Sequence, residues 1–511
     1  MRWTPPRESV QERRVADKLR AASRFYRFLW EIREELFAGG FEDELITSYC
    51  PRGQAPCPPA LLAMVMLLQR YDGLSDADAV EAAENDRRWQ LVLGTLGEEG
   101  APFGQGTLVR FRTRMMAHDL DRKLVDRTVE LAKKSGTFGW KKLRVALDSS
   151  PLQGAGRVED TWNLIGRAMS KVVHAVALAL SMEEEDVIRQ AGLFVLCADS
   201  LKSALDIDWD DEDAQYKALN LLLDQVSQLQ AWVAKKAAKP SKAPPLKDAL
   251  ALLQRLVDQD TEPDPPRGGR KITEGVAPDR VISIGDMEMR HGRKSRTKRF
   301  DGYKRHIAIV DGVIVATAVE PANVREYEPA QRLLKAVERH GAIEVLDIDR
   351  GYLASPAVAD LHHSGAKIHS RAWKTNNHGL FTKEHFRIQL RRKRVVCPNG
   401  AIAPITTGGQ AFFDSKDCGR CKLKSRCTTS SKRSLTIHPL EDLLITLRAD
   451  AKTAAGREQL RKRTAVEHRL ARVGAIQGPR ARFRGRRKNE LDLNRTAAIA
   501  NLLEVERRRA A

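Results

Sequence analysis

Residues 303–321 read YKRHIAIVDGVIVATAVEP, two apolar, β-branched runs either side of Asp311-Gly312. An Asp-Gly pair accepts the positive φ values of a tight hairpin turn, so the stretch predicts two long antiparallel strands. On the N-terminal side KLRVALD (142–148) is another short strand run, and it ends in Asp148; on the C-terminal side AIEVLDID (342–349) is a third, ending in Asp349. A helix over Glu328–His340 separates the hairpin from that third run, a second follows over Ser355–His363, and a short strand near AKIHS (366–370) continues the alternation. Strands alternating with helices predict a mixed α/β sheet flanked by helices.

The surroundings differ in character. The first 135 residues look all-helical: PALLAMVMLLQRY (59–71) is an apolar helix, Ser75 to Asp78 offers a capping box for a helix carrying AVEAAENDRRWQLVL, and Thr107 is placed to cap LVRFRTRMMAHDL. Short helices and tight turns suit a helix-turn-helix DNA binder, and equally a bundle that packs on the next domain. Glu183–Asp258 is Leu-rich and helical and runs into TEPDPPRGGRK (261–271), which marks a helical insertion over residues 157–265. Later, Arg461 to Leu470 resumes as a helix that carries Glu467. The organisation predicted is 1–135 helical N-terminal domain, 136–156 first part of the α/β core, 157–265 insertion, 266–390 second part, 391–435 cysteine insertion, and 436–511 last part with a basic tail.

Composition narrows the chemistry. The chain of 511 residues carries 87 Lys and Arg against 67 Asp and Glu, a formal charge of +20. Such a field attracts polyanions and makes their binding salt-sensitive. No apolar run approaches the ~18 residues of a spanning helix, and the first residues lack the apolar core of a secretion signal, so a cytoplasmic protein without membrane partners is expected. Of the seven cysteines, four cluster: Cys397, Cys418, Cys421 and Cys427. The C-x-x-C pair and its two flanking thiols suit one tetrahedral ion, with zinc as the expected guest. Four thiolates leave no open position, so that zinc would be structural.

Asp148, Asp349 and Glu467 are hard oxygen donors on two strands and a helix, the ligand type that Mg²⁺ or Mn²⁺ requires for phosphodiester chemistry. Asp347 ends the same strand as Asp349 and is its rival. Two basic runs flank these acids: Arg480, Arg482, Arg484, Arg486, Arg487 and Lys488 with Phe483, and His291, Arg293, Lys294, Arg296, Lys298 and Arg299 with Phe300. Guanidinium groups suit phosphate contacts and the aromatic rings can stack on splayed bases. Lys235, Lys236, Lys239 and Lys242 in the insertion read as a solvated face. His306, in KRHIAIV, reads as a core residue rather than a general base.

These residues resemble a known family, the DDE transposases of bacterial insertion sequences, and within it the IS1182-like group. ALDSSPLQGAGRVEDTWNLI (146–165) resembles its first catalytic strand and loop, VLDIDRGYLAS (345–355) its D-x-G-Y block, and RKRTAVEHRLARV (461–473) its R-x-x-x-E helix. RFDGYKRHIAIVD, EPANVREYEP, the cysteine segment and GRRKNELDLNRTAAIANLLEV extend the likeness to nearly the whole chain. The resemblance implies an RNase H-like catalytic core, split by the helical insertion and by a four-cysteine zinc knuckle, behind an N-terminal DNA-binding domain. Asp148, Asp349 and Glu467 would be the metal-binding triad, Arg463 would neutralise phosphate or orient Glu467, Tyr352 would lie against the DNA strand, and Asp160 with Thr161 match the loop after the first strand. The acids are 201 and 118 residues apart, which the two insertions account for. The chain departs from the family pattern at Glu326, where an Asp is usual after Asn323, and at Leu470, where an aromatic is usual. The implied activity is cleavage at terminal inverted repeats and joining of the freed 3′ ends to target double-stranded DNA, by a homodimer that pairs the ends. A metal-dependent nuclease on the same core and a non-catalytic, transposase-derived regulator are the alternatives.

Overall fold

A computed structural model describes residues 2–5, 9–50, 56–136, 142–295 and 297–510. Six strands form one sheet: β1 (Leu143–Gln153), β2 (Arg290–Arg293), β3 (Arg299–Val310), β4 (Val313–Pro321), β5 (Ile343–Ile348) and β6 (Lys367–His369). β1 lies at the centre, antiparallel to β3 on one side and parallel to β5 on the other. β6 continues parallel beyond β5, while β3 also pairs with β2 and, through the predicted hairpin, with β4. Asp311 takes φ 47° and Gly312 φ 79° at that turn, the left-handed pair the Asp-Gly signal requires.

Both faces of the sheet are covered, as a sheet with parallel central strands demands. The helices include α1 (Pro59–Asp72), α2 (Leu120–Lys134), α3 (Thr161–Leu180), α4 (Glu212–Lys236), α5 (Leu246–Asp260), α6 (Ala330–Glu338), α7 (Pro356–His363), α8 (Thr464–Gln477) and α9 (Arg486–Arg509), with others before and between them. Val145, Leu147, Ala308 and Val310 face one core with α6, α7 and the N-terminal helices. Ala146, Ile307 and Ile309 point the other way, against Val466, Leu470 and Val473 of α8 and Leu493, Ala497 and Ala500 of α9.

Helix α9 is the keystone of this arrangement. Its side chains run from Asn489 to Glu506 almost without exposure, and its buried polar groups meet partners from several elements. Asn501 accepts from the Ile314 N–H at 2.7 Å and donates to the Ile314 carbonyl at 2.8 Å, which pairs the main chain of β4 as another strand would. Asp492 takes the Arg495 guanidinium at 2.7 Å and faces Arg70 of α1 at 3.4 Å. The N-terminal helices thus share one core with the sheet and α9, as a bundle packed on the next layer does. α1 is buried on all sides from Pro59 to Arg70, which is why its sequence is apolar all round.

Local readings need several corrections. The Ser75–Asp78 capping box is present, but the helix stops at Asn85. Asp86 is extended there, and its carboxylate accepts from the Arg88 N–H to start a separate helix, Arg87–Leu93. Thr107 lies inside a helix whose cap is Gly104. TEPDPPRGGRK, which closes the helical insertion, folds as a hairpin, Thr261–Asp264 with Gly269–Ile272. The helical insertion has its own core, built by Leu164, Met169 and Val176 of α3, Leu222 and Leu229 of α4, and Leu253 and Leu256 of α5. Asp160 caps α3, and Thr161 donates to Asp260 at 2.9 Å, so both serve the insertion.

Residues 381–437 make a further unit with its own small core of Phe381, Phe386, Val395, Ala403, Ala411, Phe413, Leu435 and Ile437. Short strands 387–389, 394–396 and 402–404 pair in sequence, and 410–412 pairs with 434–436.

Candidate active site

Registry brings two of the predicted acids together. Leu147 of β1 lies beside Ile348 of β5, so Asp148 and Asp349 are the next residues on adjacent parallel strands. Helix α8 packs on β1 through Val466, Leu470 and Val473, a 3.6-residue stripe that turns Arg463 and Glu467 toward the strand ends. All three acids then line one cavity of about 490 Å³, together with Ser149, Ser150, Arg293, Lys294, Lys304, Arg305, Glu326 and Arg463.

Arg463 lies among the carboxylates. Its guanidinium is 2.8 Å from Glu467 and 3.9 Å from Asp148. The Ser149 N–H donates to Asp148 at 2.8 Å, and the Arg350 N–H donates to Asp349 at 2.8 Å. Burial nonetheless pushes the Asp148 acid up to about 6, against the pull of Ser149 and Arg463 and helped by the charges of Asp349 and Glu467. A carboxylate raised by burial and by like charges in a cleft is a functional-site signature. The rival Asp347 is taken: Arg144 grips it at 2.7 and 2.8 Å, and His369 stands 3.0 Å away.

Several site residues were not singled out for the site from sequence. Glu326 accepts from Ser149 Oγ at 2.8 Å and is a fourth carboxylate in the cavity, delivered by the loop after β4. Arg305 is buried and donates to Ser150 at 2.7 Å. Lys304 donates to the Val324 carbonyl at 2.8 Å, which ties the Glu326 loop to β3. The run Lys304-Arg305 in a strand was the available signal; Glu326 had only its place after Asn323.

Other expected roles shift. Tyr352 is fully buried behind Asp148, with its hydroxyl 2.8 Å from His306 Nδ1, and so it does not lie against DNA. The D-x-G-Y tyrosine braces the turn that carries Asp349. His306 is likewise fully buried, and burial holds its pKa down to about 3, so it stays neutral as a core residue. In the basic tail, Arg487 binds Asp121 at 2.6 Å, and Arg486 faces Glu320 at 3.5 Å. Arg480 and Arg482 donate to main-chain carbonyls of Gly154 and Leu74. Those four of the six are engaged within the protein, whereas among the described residues Arg484 and Lys488 have no carboxylate partner. Arg293 and Lys294 line the cavity, Lys298 is exposed on the turn beyond them, and Arg296 lies outside the described residues.

The four clustered cysteines converge. Cys397, Cys418, Cys421 and Cys427 line a cavity of about 340 Å³, none is in a disulfide, and the Leu423 N–H donates to Cys421 Sγ at 3.4 Å. Neither here nor among the acids do three His, Cys, Asp or Glu side chains of the described residues stand close enough, as placed, to hold an ion.

Residues 14–114 match a transposase domain family (DUF772), and residues 396–505 match the transposase DDE domain family. Glu467 falls inside the second match, while Asp148 and Asp349 lie between the two. No curated protein and no solved structure matches the chain. Two transposase domains in this order, one at each end, place the chain among the DDE transposases of insertion sequences, in a pairing consistent with the IS1182-like group.

Proposed function

We propose that this transposase cuts DNA at the terminal inverted repeats of its element and joins the 3′ ends to target DNA, with Asp148, Asp349 and Glu467 as its catalytic acids. One observation carries the reading: the in-register ends of β1 and β5 set two acids side by side, and α8 aims a third at them across an open, basic-walled cavity. The strand order, a central β1 between an antiparallel hairpin and two parallel strands, supports an RNase H-like core.

The donor set fits divalent ions that prefer oxygen. Asp148, Asp349 and Glu467 would hold Mg²⁺ or Mn²⁺, which when bound supplies Lewis acidity and an activated nucleophile for in-line displacement. The chain's own residues prepare that site. Arg463 holds Glu467 in place and offsets the charge of Asp148. Ser149 links the Asp148 carboxylate to Glu326, which fixes the loop over the strand ends. Arg293, Lys294 and Lys304 give the walls positive charge for the phosphates on either side of the scissile bond. The cysteine cavity offers a soft, four-sulfur donor set that suits zinc, and the Leu423 N–H bond fixes the position of Cys421 Sγ. Zinc there would brace residues 381–437. Two ends must be held during joining, and a homodimer acting in the cytoplasm would do so.

Asp148→Asn tests the assignment. It should abolish strand cleavage and joining and leave binding to the terminal repeat within a few-fold of wild type; full activity, or loss of binding in a folded protein, refutes the role given to Asp148.

A further inference from the structure

Half of the chain's net charge sits in one small unit. Residues 381–437 contain thirteen Lys or Arg and three Asp or Glu, +10 of the total +20 in 57 of 511 residues. Only Lys383 of the thirteen is paired with a carboxylate among the described residues, to Glu441 at 2.7 Å. That contrasts with the C-terminal basic run, where Arg486 and Arg487 are held by internal acids. Arg391, Arg392 and Lys393 form an exposed turn between two strands, and Lys416, Arg420 and Lys422 stand exposed around the cysteine pair.

The sheet in this unit also has an open face. Val395, Ala403, Ala411 and Leu435 turn inward to the small core. Their neighbours point outward and are not all polar: Ile402 is 54% and Phe412 45% exposed. Arg387 and Ile402 flank Val396 in register, and the Lys432 ammonium lies 5.4 Å from the Phe412 ring. Exposed apolar side chains that share their strands with unpaired cations make a surface suited to a polyanion that also offers apolar surface. By chain path the unit leaves β6, next to the strand that leads to Asp349, and returns into the helices that lead to Glu467.

We propose that the four-cysteine unit is a DNA-binding surface in its own right, gripping the sugar-phosphate backbone of duplex DNA beside the catalytic cavity. Its contacts are to phosphates and sugars, so they add affinity and position rather than sequence choice. The inference rests on the transposase reading for its choice of partner, but its test does not need catalysis.

The test is binding of the full chain to a duplex oligonucleotide of arbitrary sequence, without divalent ions, across a salt series. Three triple variants are compared: Arg391→Gln with Arg392→Gln and Lys393→Gln; Lys416→Gln with Arg420→Gln and Lys422→Gln; and, as an equal-charge control, Lys235→Gln with Lys236→Gln and Lys239→Gln in the helical insertion. Each phosphate contact contributes about 0.9 to the slope of log K against log salt, so the first two variants should lose between about 1 and about 3 in slope and the control nothing. An unchanged slope in both test variants, or an equal loss in the control, overturns the inference. Tighter binding to anionic vesicles than to duplex, lost in the same variants, overturns it too and reassigns the face to lipid. If wild type binds no DNA, it is the transposase reading that fails. Changing the two clusters separately keeps the test valid should one variant misfold.

Discussion

Asp148→Asn should stabilise the metal-free protein, in a way that depends on pH. The side chain of Asp148 is 16% exposed, and its pKa stands near 6 in place of the usual 3.8 because burial and the charges of Asp349 and Glu467 outweigh the Ser149 N–H and Arg463. A raised carboxylate pKa means the folded state binds the proton more tightly than the unfolded chain. Stability from this group is therefore fully present below pH 3.8 and is lost as pH rises through 6. Two pKa units correspond to about 3 kcal/mol, the cost of holding the ionised acid in place at neutral pH. Asn keeps the neutral shape at every pH. Unfolding midpoints of wild type and variant in EDTA should coincide near pH 4, separate between pH 4 and 6, and then run parallel with the variant more stable. Adding Mn²⁺ should raise the wild-type midpoint at pH 7 and leave the variant nearly unchanged. A variant less stable than wild type at pH 7, or a gap of the same size at pH 4 and pH 7, would refute the reasoning about this site.

Three further outcomes follow from particular contacts. A Cβ added at Gly351 would collide with the Glu326 carboxylate; Gly351→Ala should push Glu326 off Ser149 and lower the cleavage rate about 10- to 100-fold with DNA affinity unchanged, read by single-turnover kinetics. Asn501→Ala strands the Ile314 N–H and carbonyl and should destabilise the fold by about 2–4 kcal/mol, measured by denaturant unfolding. A strong zinc chelator, or Cys418→Ser, should raise amide hydrogen exchange across residues 387–436 while β1 and β5 stay protected; protection unchanged in both regions would count against a structural zinc.

The hairpin, the two acid-bearing strands and the helix of Glu467 were legible in sequence because each rests on local signals: β-branched runs, an Asp-Gly turn, an apolar stripe at helical spacing. Contacts between distant segments were not. Nothing local shows that Arg487 is bound by Asp121 or that Arg486 faces Glu320, so a run of arginines read as DNA-facing when these two join the tail to an N-terminal helix and to β4. The family resemblance puts Tyr352 against the DNA strand, whereas burial behind Asp148 makes it a brace. Glu326 enters the site only because β3 and β4 deliver its loop beside Ser149. Helix α9 is rich in charge and amide, yet its Asp492, Asn494 and Asn501 are buried, and Asn494 and Asn501 meet partners that come from far away in the chain. The break at Asp86 was missed for the opposite reason, a single side-chain cap that overrides good helix-forming neighbours.

The most direct measurement is cleavage and joining of a labelled DNA end, taken from the sequence flanking the gene, with Mg²⁺ or Mn²⁺ and with wild type and Glu467→Gln side by side. The account predicts metal-dependent nicking followed by strand joining in wild type, and neither in the variant, with DNA binding equal in both. Cutting without joining would contradict the transposase mechanism in favour of a nuclease, and inactivity of both proteins with binding intact would contradict catalysis altogether.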